Sequence, residues 1–95
     1  EFAIILPGTT LQNAVMLADR IRKAVESRRL KKRRTDEDLG VVTLSMGAAL
    51  LRWNDTADSL IERADSLLYA AKKAGRNRVV DEDGADVASA ATSAA

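Results

Sequence analysis

Lys72 and Arg76 stand four residues apart, one on each side of Gly75. An ammonium supplies a compact point charge and a guanidinium a rigid two-pronged donor, so the pair has the chemistry to hold phosphate oxygens. Cations at the end of a helix also complement its dipole, for about 0.3–1 kcal/mol each. From these residues alone both readings stand, and Lys73 keeps the dipole reading. Histidine and cysteine are absent. Their absence removes the commonest general base, the commonest metal ligands, any thiol nucleophile and any disulfide.

Such cations need elements to position them. Phe2–Leu6 is a continuous apolar run closed by Pro7-Gly8, which predicts a short strand buried on both faces. Thr9-x-x-Gln12 has capping-box spacing. Behind it Leu11, Ala14, Val15, Ala18, Ile21 and Val25 form one apolar stripe, predicting a helix of about 16 residues. Asp19, Arg20, Arg22, Lys23 and Glu26 fall mostly off that stripe. Val41–Leu51 is rich in Val, Leu and Thr and predicts a central strand, with Gly47 marking a close approach by a neighbour.

Asn54-Asp55-Thr56 offers N-cap chemistry for a second helix. Its stripe runs Ala57, Leu60, Ile61, Ala64, Leu67, Leu68 and Ala71, and Gly75 sits where a C-cap glycine belongs. Arg78–Val80 reads as a short final strand. From Asp81 onward Asp, Gly, Ala, Ser and Thr dominate without periodicity, so residues 82–95 are expected to form a disordered tail after a domain over 1–81. The order is strand–helix–strand–helix–strand: an α/β or α+β architecture with helices packed on a sheet. Trp53, at a strand end, is expected to pack rather than to serve as a ligand platform.

The 95 residues are 46% hydrophobic and 31% charged, too apolar for a disordered chain and too charged for a membrane protein. A formal net charge of +1 gives no strong field for nucleic acid or lipid. The basic run Arg28–Arg34 has no interleaved aromatic, and Asp36, Glu37 and Asp38 come directly after it. It reads as a solvated loop, with neither nucleic acid nor membrane as a partner of this segment. No apolar run approaches a membrane span and no signal peptide is visible. The absence of cysteine is compatible with the cytosol. The opening Glu1-Phe2-Ala3-Ile4 starts inside an apparent strand, without Met, and reads as a piece of a longer domain.

Three local patterns, in order and at fitting spacing, resemble the GGDEF family. Glu1-Phe2, the apolar strand, Pro7 and a capped helix resemble the last two letters of its signature and the strand and helix next to it. Val42-Thr43-Leu44-Ser45-Met46-Gly47-Ala48-Ala49 resembles the family's T-x-S-x-G-x-A strand. Arg63 to Val79, containing Ala64-Asp65, Leu68-Tyr69, Ala71-Lys72 and Gly75-Arg76-Asn77, resembles its A-D-x-A-L-Y-x-A-K-x-x-G-R-N pattern. The resemblance covers Glu1 to about Asp81.

The resemblance implies a nucleotidyl-cyclase, palm-like sheet with packed helices. It implies a diguanylate cyclase that condenses two GTP into cyclic di-GMP across a homodimer, with Mg²⁺ or Mn²⁺ assisting attack on the α-phosphate. It places Lys72 and Arg76 on the GTP phosphates. It makes Glu1 the fourth signature letter and gives it a supporting catalytic role, with an ordinary strand-edge carboxylate as the plain alternative. Arg20 matches a family arginine for product inhibition, where a solvent-facing helix arginine is the plain alternative. Asp65, Asn77 and Tyr69 are expected to serve structure, Tyr69 in the core with its hydroxyl satisfied. The metal ligands, the guanine-reading residues and the remaining signature letters would precede Glu1. On this reading the parent is a cytoplasmic cyclase and the 95 residues alone are inactive. The competing expectation is a degenerate module that binds nucleotide or a partner without turnover.

Overall fold

The structure, a computed structural model, describes residues 1–31 and 38–88. Its elements are α1 (Leu11–Glu26), β1 (Arg29–Lys31), β2 (Asp38–Val41), β3 (Ser45–Ala48), α2 (Ala57–Lys73), β4 (Arg78–Asp81) and β5 (Asp86–Ala88). The mixed α/β class is as expected, and several boundaries differ for identifiable reasons.

Helix α1 has the expected extent, but its N-cap is Thr10, whose side chain accepts from the Asn13 N–H at 3.1 Å. The Thr9 hydroxyl instead donates to the Pro7 carbonyl at 3.2 Å, so Thr9 belongs to the turn and the Thr9–Gln12 capping box does not form. At α2 the expected chemistry is present: Thr56 accepts from the Ser59 N–H, and the Ser59 hydroxyl oxygen accepts from the Thr56 N–H.

The sheet runs β3-β4-β5, with β3 parallel to β4 and β4 antiparallel to β5. Parallel neighbours require a crossover, and α2 provides it. Ser45 pairs with Arg78 and Ala48 with Asp81, so β3 and β4 start level with each other. Both helices pack on β3 and β4, α2 most extensively on β3. Val15, Ala71 and Val79 form the buried apolar centre, one from each of α1, α2 and β4.

Four expectations are corrected. Phe2–Leu6 is not a strand; no strand runs beside it among the described residues, and Phe2 and Ile5 are exposed. The expected loop after α1 contains a second, two-stranded sheet of β1 and β2, pairing Arg29 with Val41; Lys32, Arg33, Arg34, Asp36 and Glu37 lie outside the described residues. Consequently Val41 ends β2, and the long predicted strand reduces to Ser45–Ala48. The Asp-Glu-Asp-Gly sequence read as the start of a tail is a hairpin turn into β5. The Asp81 carboxylate accepts from the Asp83 and Ala85 N–H groups at 3.0 and 2.9 Å, and Gly84 adopts φ +89°. Residues 89–95 lie outside the described residues. No described helix is long and apolar enough to cross a membrane.

Candidate functional site

The N-terminal segment, one face of α1, β3 with its flanks and one face of α2 enclose a groove of about 1610 Å³. Its lining is largely apolar, with Leu17 and Ile21 from α1, Met46 from β3 and Leu60 and Leu68 from α2. Among the described residues four charged side chains enter it: Glu1, Asp65, Lys72 and Arg76. Three of these are residues that the sequence picks out, Glu1 from the start of the chain and the two cations from the far end of α2 and the turn beyond it. Glu1, Asp65 and Lys72 also share a cleft of about 110 Å³ with Leu68 and Tyr69. Arg20 is exposed on α1 and is not part of the groove lining.

The helical repeat explains why α2 delivers these groups. Leu60, Ala64, Leu68 and Lys72 succeed one another at four-residue steps and line the groove together. The helix can lie this close to β3 because Gly47 has no side chain. A Cβ there would meet the Ala64 carbonyl oxygen, the Leu68 amide nitrogen and the Leu67 carbonyl carbon. The far end closes at Ala74, and Gly75 leaves the helix at φ +126°. Arg76 and Asn77 come next with φ +63° and +49°, a turn that returns the chain to β4 and puts Arg76 on the groove.

Two ionic clusters flank this frame. In the first, Arg22 is fully buried, although the apolar stripe leaves it on the polar side of α1. Its guanidinium donates to Asp19 from Nε and Nη2 at 2.9 and 2.7 Å and to the Asn77 side-chain oxygen at 2.9 Å. Burial works to raise the Asp19 carboxyl, but the hydrogen bonds from Arg22 and Lys23 outweigh it and hold the group below its usual range. Asn77 also donates to Glu26, so its role is to dock the turn on α1. The signal in the sequence is the spacing itself, since Arg22 has acids three residues before and four after it.

In the second cluster Arg63 of α2 donates to Asp55, to Glu82 beyond β4 and to the Leu50 carbonyl. The Arg63 hydrogen bond, chiefly, holds the Asp55 carboxyl far below its ordinary value, helped by the Arg52 N–H and the Ser59 hydroxyl. Arg63 is correspondingly held more firmly protonated.

Two aromatic expectations are corrected. Tyr69 is 63% exposed rather than in the core, with Lys73 Nζ 5.5 Å from its ring centre. Trp53 is 98% exposed, in the turn between β3 and α2, where no element covers it. Asp65, expected to be structural, enters the groove lining.

The resemblance implies a divalent metal held by oxygen ligands. Among the described residues no group of three or more Asp, Glu, His or Cys could hold one, and the groove offers only Glu1 and Asp65. These two carboxylates alone do not make a metal site.

Comparison with known proteins agrees with the mixed α/β fold. Residues 1–78 match the family described as the diguanylate cyclase, GGDEF domain. The chain is 42% identical over 80 residues to the diguanylate cyclase VdcA of Vibrio cholerae, covering 84% of this chain and 24% of that protein. It is 41% identical over 81 residues to the response regulator PleD of Caulobacter vibrioides, covering 84% and 18%. A crystal structure of the GGDEF domain of DgcB from Caulobacter crescentus, in complex with c-di-GMP, superimposes with a TM-score of 0.77 at 42% identity. That match covers 80% of this chain and 43% of the DgcB chain. The chain thus spans a quarter or less of these curated relatives.

Proposed function

This chain belongs to the GGDEF, diguanylate cyclase domain, family, and on that footing we propose that its groove forms the phosphate-holding side of a site that joins two GTP into cyclic di-GMP. The observation that carries the proposal is the meeting of Lys72, Arg76 and Glu1 on one groove. Lys72 offers an ammonium at the last turn of α2, and Arg76 a guanidinium on the turn beyond it. Together they would neutralise and align a triphosphate, which is how phosphoryl-transfer sites lower their barrier. Glu1 would stand beside the phosphates as an orienting carboxylate. Each GTP would sit on one domain of a homodimer, so that the attacking hydroxyl comes from the facing copy. A domain that consumes GTP in this way would work in the cytoplasm. Arg20, exposed on α1 and outside the groove lining, would bind product and mediate feedback.

The test supplies the full-length protein with GTP and Mg²⁺ or Mn²⁺ and looks for cyclic di-GMP by mass. Product is the expected result. GTP bound but unchanged would replace the cyclase reading with that of a nucleotide-binding signalling module.

A further inference from the structure

Arg76 and Asn77 are consecutive non-glycine residues in the left-handed region. Asparagine visits that region more readily than most residues, and arginine rarely does. The turn is held from outside. Arg22 donates from Nη1 to the Asn77 side-chain oxygen at 2.9 Å and to the Asn77 carbonyl at 3.4 Å. The Asn77 amide side chain donates to Glu26, and its N–H donates to Ser45 Oγ at 3.2 Å. The Arg76 N–H donates to the Ala71 carbonyl at 2.9 Å, and the Arg76 carbonyl accepts from Arg78 Nε at 3.0 Å. Asp19 fixes the other edge of the buried Arg22 guanidinium. The backbone that carries Arg76 is therefore tied to α1, α2, β3 and β4 at once.

We propose that Arg22 and Asn77 are positioning residues: the buried guanidinium of α1, acting through the Asn77 side chain, sets the left-handed turn that holds Arg76 on the groove. The inference rests on Arg76 as a phosphate ligand. Neither Arg22 nor Asn77 lines the groove, so both act on bound phosphate only through Arg76. A guanidinium suits this role because it forks to Asp19 with one edge and to Asn77 with the other, which an ammonium cannot copy.

The test is a double-variant cycle in the full-length protein, reading GTP affinity and melting temperature. Asn77→Gly accepts positive φ freely, so it removes the side-chain tether while keeping the turn accessible. The expected result is a folded protein with GTP affinity weakened roughly tenfold, the lower end of what losing one charge-assisted contact costs. In an Arg76→Ala background the same change should cost nothing further. Arg22→Ala endangers folding, because it strips a buried partner from Asp19 and Asn77. Arg22→Lys keeps the charge and should repeat the Asn77→Gly pattern. Unchanged affinity in Asn77→Gly, or losses that add in the double variant, would overturn the positioning role and leave the phosphate reading intact. Unchanged affinity in Arg76→Ala alone would overturn both.

Discussion

Arg63 grips Asp55 with two prongs, Nη1 to Oδ1 at 3.0 Å and Nη2 to Oδ2 at 2.7 Å, and so ties the entry of α2 to the body of the helix. The same guanidinium reaches Glu82 through Nε at 2.8 Å. Bidentate geometry shared among several partners is the case in which an ion pair on a protein surface stabilises measurably. Because the Asp55 value is lowered in the folded state, its contribution is fully present above about pH 4, the unfolded carboxylate value. It is lost as pH falls from there through the lower folded value. Melting curves of wild type and Asp55→Asn should differ at neutral pH and converge in strong acid. A gap that stays constant with pH would remove the ion pair as its cause.

Gly47 sets the distance between β3 and α2. The atoms a Cβ would strike are backbone atoms of Ala64, Leu67 and Leu68, which cannot rotate away. Gly47→Ala should therefore cost about 1–3 kcal/mol or more by overpacking. Since 1 kcal/mol moves the midpoint about 4–8 °C in a domain of this size, a thermal scan reads it directly. A shift within experimental error would mean that the helix moves off the strand without penalty.

Arg20 is exposed on α1 and does not line the groove. Arg20→Ala should relieve inhibition by added cyclic di-GMP and leave initial turnover nearly unchanged. Progress curves of the full-length protein with and without product decide it. Equal inhibition in both proteins would make Arg20 an ordinary surface residue.

Much of this site is legible because its signals are local. The four-residue step from Leu68 to Lys72 and the glycine at 75 predict where the cations emerge, and Gly47 predicts the close contact that α2 makes with β3. What the sequence hides is non-local. Burial of Arg22 depends on Asn77, a partner 55 positions away. Strand β5 depends on a turn whose acidic and small residues look, in isolation, like a tail. Phe2–Leu6 has strand composition, but a strand exists only when a neighbour accepts its hydrogen bonds, and none does among the described residues.

The central claim is that Lys72 and Arg76 hold the phosphates of GTP, and the most direct measurement compares GTP with guanosine. Titrate both against the full-length protein and against Lys72→Ala and Arg76→Ala. Losing one charge-assisted contact costs about 1.5–3 kcal/mol, or roughly 10- to 150-fold in affinity. Each variant should lose that much for GTP while guanosine, which has no phosphate, binds as before. GTP affinity unchanged in both variants, or guanosine weakened as much as GTP, would contradict the account.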